Sequence, residues 1–189
     1  MTWDNEYLIP LYNALLIPAV IFAFGLIIEG IETLFTRLLA KLFGGKVAFF
    51  IRNRLTFIGT VHHELAHALF ALVSGAKVTK VELFCVRGDQ LGCVEFYPRG
   101  TAFTKSIQMT LASIAPVICG GVSLCVLSWL WKYRCTEIWQ FVLVAYLFIS
   151  VFLHMNMSTQ DVKNAFKGMP LTIIICYVIF LVTGIRLIG

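Results

Sequence analysis

Two histidines and a glutamate carry the strongest chemical signal in this chain of 189 residues. They form the pattern His63-Glu64-Leu65-Ala66-His67, in which the two imidazoles are four residues apart. On a helix this spacing puts both rings on one face, one turn apart, so that both can reach the same metal ion. With 4 His and 7 Glu in the chain, composition alone gives about 0.003 such patterns by chance. Coincidence is therefore a weak explanation.

The ion that suits this pattern is Zn²⁺. Two neutral imidazole nitrogens and one carboxylate leave a fourth, open position for a water molecule, which the ion acidifies. Glu64 then lies beside that water as a general base and carries its proton to the leaving amine. The sequence therefore predicts a hydrolytic zinc site, with His63 and His67 as ligands. The alternative is a buried polar cluster that joins helices and binds no metal.

The composition places this chemistry in lipid. Hydrophobic residues make up 59% of the chain and charged residues 13%, against roughly 45–50% and about 25% in soluble domains. These values exclude a soluble globule, and the 16 Phe exclude a disordered chain. The net charge of +5 is expected to meet anionic headgroups of the bilayer, because the basic residues lie mostly between the apolar runs. A nucleic-acid partner is not expected.

Uncharged runs of span length define the expected architecture, an all-α polytopic membrane protein forming a single integral domain over residues 1–189. About five transmembrane helices are predicted. The expected location is an integral, multi-pass one, taken here as the cell membrane of a prokaryote. The predicted spans are residues 7–28, 55–75, 106–131, 138–160 and 168–186.

Two further elements are predicted between the spans. Residues 31–43 have apolar side chains at spacings of three and four, which indicates an amphipathic helix lying in the membrane interface. The alternative is a continuation of the first span into water. Residues 77–97 change to an alternating period with a turn signal at Gly88 and Asp89, which predicts a small β-hairpin after the HExxH helix.

The position of the motif implies a reaction inside the membrane. His63 lies eight residues after Leu55, about 12 Å along a helix from the start of its span. A charged residue in mid-bilayer costs about 2.5–3.5 kcal/mol on insertion scales, so Glu64 needs a compensating partner such as a divalent cation. The substrate is then a membrane protein or peptide, embedded in the bilayer or presented at its edge.

The motif and its surroundings resemble the site-2 protease family of intramembrane zinc metalloproteases. The segments that carry the resemblance are Gly59-Thr60-Val61-His62-His63-Glu64-Leu65-Ala66-His67-Ala68-Leu69 and Ser74-Gly75-Ala76-Lys77-Val78. The family core has three spans: the first bears HExxH, a β-rich segment follows, and the third bears an Asp. Predicted spans two to four match that order, and the resemblance covers about Leu55 to Pro170.

By this resemblance Asp161 is the third zinc ligand. The chain has Asn156 upstream of it, lacks the family's Pro in that segment and has Val162 where the family has Gly, so it resembles a compact, divergent branch. Ser158-x-x-Asp161 is also an ordinary helix-capping pattern, and both roles are compatible. His154, seven residues before Asp161, is the alternative third ligand or a residue that supports a ligand.

The remaining candidates concern the substrate. The resemblance suggests that Asn156 hydrogen-bonds the scissile peptide or its oxyanion, although an Asn that joins two helices is an equal alternative. Ser158 is a further candidate for orienting a ligand or the substrate. An edge strand of the hairpin can hold an unwound substrate extended, whereas a passive connector is the simpler interpretation. Cys85 and Cys93 can face each other across the hairpin, but no disulfide is predicted.

The function that these observations favour is an intramembrane zinc metalloprotease. The competing class is a non-proteolytic metal-binding membrane protein, such as a transporter component or an inactive protease relative. A third possibility is a structural membrane protein with no metal. Metal content separates the third class from the first two, and the effect of Glu64→Gln on cleavage separates the first two from each other.

Overall fold

A computed structural model describes residues 3–83 and 92–187. Helices dominate these ranges, together with one antiparallel sheet of two strands. The elements in chain order are α1 (Trp3–Phe43), α2 (Gly45–Phe50), a π-helical turn (Ile51–Leu55), α3 (Phe57–Val73), β1 (Lys77–Glu82), β2 (Cys93–Tyr97), α4 (Ala102–Tyr133), α5 (Ile138–His154) and α6 (Thr159–Thr183).

Three of these helices, α1, α4 and α6, are long and apolar enough to cross a membrane. The other two apolar helices, α3 and α5, have 17 residues each. At 1.5 Å per residue they extend about 25 Å, slightly less than the roughly 30 Å of a bilayer's hydrocarbon core. The structure thus supports a membrane protein with three spanning helices by length and composition, and the predicted count of five is not confirmed.

The prediction of a separate helix over residues 31–43 is wrong. Helix α1 runs without a break from Trp3 to Phe43, so the alternative, a continuation of the first span, describes the backbone. Gly30 does not interrupt it, because a single helical Gly costs only about 1 kcal/mol relative to Ala. The chain leaves the helix at Gly44, whose φ of 86° lies in the left-handed region.

The boundary between the last two helices also differs from the prediction. The fourth span was expected over 138–160 and the fifth over 168–186, but α5 ends at His154 and α6 begins at Thr159. The cause is a capping box at Ser158. Its hydroxyl accepts a hydrogen bond from the N–H of Asp161, and the Asp161 carboxylate accepts one from the N–H of Ser158. Asp161 therefore lies in the first turn of α6 rather than at the end of α5.

Helix α4 lies at the centre of the bundle and packs against α3, α5 and α6, while α1 packs against α6. Buried apolar side chains of α4, α6 and the α5–α6 connection form one core cluster, Ile114, Val117, Met157 and Ala165. A second cluster of small residues joins α3 to α4 beneath the sheet and consists of Ala71, Ala76 and Ala112. Small residues at these contacts let helix backbones approach closely.

The sheet follows α3 as predicted. Strands β1 and β2 pair antiparallel, with Lys77 opposite Tyr97 and Glu82 opposite Cys93. This pairing confirms the hairpin predicted over 77–97 in its two strands. The predicted turn at Gly88 and Asp89 lies outside the described residues, as does Cys85.

Helix α5 is fixed to the start of α3 by hydrogen bonds. The Ser150 hydroxyl accepts from the N–H of Gly59 at 2.8 Å and donates to the carbonyl of Thr56 at 2.9 Å. The Tyr146 hydroxyl donates to the carbonyl of Leu55 at 2.7 Å. Gly59 permits this contact, because a Cβ there would collide with the carbonyl oxygen of Ser150. The motif helix and α5 are therefore held in a defined relative position.

Candidate metal centre

The two motif histidines lie one turn apart on α3 and turn their rings toward each other. The Nε2 atoms of His63 and His67 are 3.0 Å apart. The ring centroids are 4.7 Å apart, with the planes at 76°. This confirms that the HExxH segment is helical and that its spacing brings both imidazoles to one point.

The hydrogen bonds of these rings determine which nitrogen faces that point. Nδ1 of His63 lies 2.6 Å from the carbonyl oxygen of His154, and Nδ1 of His67 lies 2.7 Å from that of Ala112. A carbonyl oxygen only accepts, so each Nδ1 carries the proton and donates it. In the neutral ring Nε2 is then a lone-pair acceptor. Two lone pairs that converge at 3.0 Å repel each other unless a cation lies between them. In metal-binding histidines the other ring nitrogen typically donates to a carbonyl or carboxylate, as both Nδ1 atoms do here.

Asp161 completes the group from the start of α6. Its Oδ2 lies 3.6 Å from Nε2 of His67. The ligand atoms of His63, His67 and Asp161 all lie within 4.8 Å of one another, so this group can hold a metal ion. Two neutral imidazoles and one carboxylate carry a net charge of about −1, and this combination of donors occurs at catalytic zinc sites.

Asp161 has a structural role in addition to its place in this group. The same Oδ2 accepts hydrogen bonds from the N–H and the hydroxyl of Ser158, at 3.0 and 2.5 Å. The capping interpretation is confirmed, and it is compatible with the ligand interpretation. The capping box orients the carboxylate of Asp161 by two hydrogen bonds from Ser158.

His154 is placed differently from Asp161. Its Nδ1 donates to the carbonyl of Ser150 at 3.0 Å, and it is not part of the convergent group found among residues 3–83 and 92–187. Its main-chain oxygen, in contrast, accepts the hydrogen bond of His63. Of the two candidates, the structure brings Asp161 to the imidazoles and gives His154 a supporting position.

Glu64 lies on the same cavity as the three ligand residues and is buried. Its side chain packs against Gly92 at the start of β2, where a Cβ would collide with its Cγ. The cavity has a volume of about 360 Å³. Side chains of α3 and α6 line it on one side, and Cys93, Val94 and Phe96 of β2 contribute to its lining. A carboxylate, a group that can hold a metal ion and a strand therefore line one cavity.

Asn156 also lines the cavity, but its amide has a partner that the sequence did not suggest. Its Nδ2 donates to Oε2 of Glu32 on α1 at 3.0 Å, and Oε1 of Glu32 is paired with Nε of Arg52 at 2.5 Å. Glu32 lies within residues 31–43, the segment for which the sequence predicts an amphipathic interfacial helix. The sequence feature that could have indicated a buried role for Glu32 is its place after a long apolar run, since a carboxylate there needs a partner.

Two other polar residues of α3 lie beside the motif. Nε2 of His62 lies 2.9 Å from the hydroxyl of Ser123 on α4, so its ring faces away from the ligand group, as its position on the helix predicts. The hydroxyl of Thr60 is buried on the cavity and has no hydrogen-bond partner in the described part of the chain.

Comparisons with known proteins identify no family for this chain. No family model matches the chain, and comparisons with curated proteins and with solved structures return no significant match.

Proposed function

We propose that this chain is an intramembrane zinc metalloprotease that hydrolyses a peptide bond of a substrate in or beside the bilayer. The observation that carries the proposal is the orientation of the two motif imidazoles. Both Nδ1–H groups are bound by main-chain carbonyls, and both Nε2 atoms converge on the Asp161 carboxylate. The resemblance of the motif region to the site-2 protease family supports the same function.

The donor set fits zinc in chemistry and in size. Zinc prefers tetrahedral sites with bonds of about 2.0–2.1 Å to His nitrogen and carboxylate oxygen, which sets neighbouring ligand atoms about 3.3 Å apart. The His63–His67 nitrogens are 3.0 Å apart, and the His67–Asp161 pair is 3.6 Å apart. When bound, zinc would acidify a water molecule and polarise the substrate carbonyl.

The protein's own residues supply the remaining chemistry. Glu64 accepts the proton of the attacking water and returns it to the nitrogen of the leaving amine. One N–H of the Asn156 amide is bound to Glu32. The amide oxygen and the second N–H are therefore available to hydrogen-bond the main chain of the substrate. The cavity is open on one side, so the attacking water can reach these groups.

Strand β2 is suited to present the substrate. A helical peptide buries its carbonyls in its own hydrogen bonds, so a transmembrane substrate must unwind before attack. In the described part of the sheet β2 pairs with β1 alone and borders the cavity. An extended substrate that adds to this edge has its main chain in front of Glu64 and the ligand group.

All five apolar helices are proposed to lie in the bilayer, which makes the protein multi-pass. On α3 the large apolar side chains that face away from the bundle are exposed, namely Leu65, Leu69, Leu72 and Val73. On α5 the exposed apolar side chains are Ile138, Trp139, Val142, Leu143 and Ile149. Lipid is the natural solvent for such surfaces, and slight local thinning accommodates helices of 17 residues.

Metal analysis of the purified protein in detergent tests the zinc site. The wild type is expected to bind stoichiometric zinc and His67→Ala to lose it. His62→Ala is the matched control, because it removes a neighbouring imidazole that is bonded to Ser123, and it should retain zinc. Equal zinc in wild type and His67→Ala, or none in the wild type, contradicts the proposal.

Glu64→Gln tests the enzymatic step separately. The variant removes the base and keeps the shape of the side chain, so zinc content should be unchanged and cleavage lost. Membrane peptides from cells that express wild type or variant, compared by mass spectrometry, give the readout and reveal the substrate. Identical peptide sets with zinc retained would instead identify a non-proteolytic metal-binding protein.

A further inference from the structure

A buried carboxylate on the first helix is bound by two residues that line the metal-centre cavity. The Glu32 side chain on α1 is 7% exposed, and its two oxygens are bound by Arg52 and Asn156. The Arg52 side chain is 48% exposed, so the ion pair is only half-buried and is weak evidence for stability on its own. In an apolar helix a paired carboxylate of this kind more often marks a functional site. The segments that carry its two partners therefore need a closer description.

Asn156 lies in the middle of the connection between α5 and α6, residues 155–158. Its neighbours Met155 and Met157 are 1% and 2% exposed, respectively. Met155 packs against Gly120 of α4, and Met157 packs against Gly25 of α1. Asn156 faces the cavity between these two apolar anchors, and its amide is bound by Glu32. Glu32 is thus the polar anchor of the connection on its cavity side.

Both ends of this connection support a ligand residue. The carbonyl of His154, immediately before it, accepts the hydrogen bond that orients the ring of His63. Ser158, its last residue, forms the capping box that orients Asp161. A shift of the connection moves both supports at once. Groups that orient metal ligands typically change metal affinity 10- to 100-fold when they are removed.

The other partner of Glu32 also lines the cavity. Arg52 belongs to the π-helical turn immediately before α3, the helix that carries both histidines. Single π-helical turns occur frequently at functional sites, because they change the direction of nearby side chains. Through Arg52 and Asn156, the Glu32 carboxylate therefore joins the two segments that immediately precede α3 and α6, the helices that carry the candidate ligands.

We propose that Glu32 is a positioning residue of the metal centre: acting through Asn156, it holds the α5–α6 connection in the place that gives His63 and Asp161 their ligand orientation. This inference rests on the proposed zinc site. It assigns to α1, which the resemblance to the protease family does not include, a direct part in building that site.

The test is a zinc titration of the metal-free protein in detergent, in competition with a chromogenic chelator. Glu32→Ala should raise the zinc dissociation constant 10- to 100-fold, with an unchanged helical circular dichroism spectrum. Glu29→Ala, three residues earlier on the same helix, is the matched control and should stay within about threefold of wild type. Glu32→Gln retains an acceptor for the Asn156 amide and should lose less affinity than Glu32→Ala.

A double variant separates positioning from a general loss of structure. Asn156→Ala should weaken zinc binding like Glu32→Ala, and the combination should bind no more weakly than the weaker single variant, because both break one link. Additive losses, or wild-type affinity in Glu32→Ala and Asn156→Ala, overturn the inference while leaving the zinc site intact. A wild type that binds no zinc overturns the proposed function together with the inference.

Discussion

The two halves of the candidate metal centre are built in different ways. His63 and His67 are four residues apart on one helix, so the helix alone brings their rings together. Asp161 lies 94 residues beyond His67 and reaches the site from the first turn of α6, by a capping box and a short connection. The first half depends on local geometry, whereas the second depends on the tertiary structure, and the two should respond differently to substitution.

Of the substitutions that distinguish the two halves, those at Asp161 should have the largest effect. Asp161→Asn keeps an oxygen for the Ser158 N–H but removes the charge of a ligand, so zinc affinity should fall by more than the roughly 100-fold upper limit typical of groups that only orient a ligand, with helix stability nearly unchanged. Asp161→Ala removes ligand and cap together and should add a loss of about 1 kcal/mol in unfolding free energy. Zinc titration and thermal unfolding in detergent measure the two effects. Zinc affinity unchanged in both variants would remove Asp161 from the site.

The next largest effect is expected from Gly59, where α3 contacts α5. A Cβ on Gly59 would collide with the Ser150 carbonyl, so Gly59→Ala should separate α3 from α5 and cost about 1–3 kcal/mol of stability. It should also weaken zinc binding, because the His154 carbonyl moves away from His63. Gly121→Ala is the control, since a Cβ there meets no described atom within 4 Å. Equal stability of the two variants would show that α5 is not held as the structure indicates.

A smaller effect is expected from the cap alone. Ser158→Ala removes the hydroxyl that accepts from the Asp161 N–H, and loss of such a cap costs about 1 kcal/mol. The Asp161 carboxylate keeps its bond to the main-chain N–H of residue 158. Zinc affinity should therefore fall by less than in Asp161→Asn. A greater fall than in Asp161→Asn would mean that the hydroxyl is the more important group.

The smallest effect is expected from His154→Ala. The group that supports His63 is the main-chain oxygen of this residue, and the substitution leaves it in place. Zinc affinity should stay within about tenfold of wild type, at or below the lower limit of the loss that removal of a ligand-orienting group typically causes. Complete loss of zinc in this variant, with zinc retained in Asp161→Ala, would exchange the roles of the two residues.

The same contrast explains how much of the site could be predicted from the sequence. The HExxH spacing predicts convergent imidazoles because helical periodicity is a local property, and the alternating period of 77–97 predicts the paired strands for the same reason. The rotation of His62 away from the ligands follows equally from its position on the helix.

The predicted helix boundaries that are wrong lie where the ends of an uncharged run do not coincide with the ends of a helix. Residues 138–160 are free of charge, and only the capping box at Ser158 shows that the helix stops and restarts within that run. In α1 the change to an amphipathic pattern after Gly30 coincides with no break in the backbone. Absence of charge therefore located apolar sequence but not helix ends.

The hydrogen bond between Glu32 and Asn156 could not be predicted from the sequence, for a different reason. Asn156 is 124 residues away, and nothing in the local sequence around either residue indicates the other. The sequence shows only that a carboxylate near an apolar helix requires a partner. Tertiary packing of α1 against the α5–α6 connection decides which residue it is.

X-ray absorption at the zinc edge of the zinc-loaded wild-type protein tests the central claim most directly. We expect the zinc ion to be coordinated by nitrogen and oxygen atoms, with the multiple-scattering signature of two imidazoles. His67→Ala should lose that signature. A shell containing cysteine sulfur, or a spectrum that His67→Ala leaves unchanged, would contradict a zinc site built from His63, His67 and Asp161.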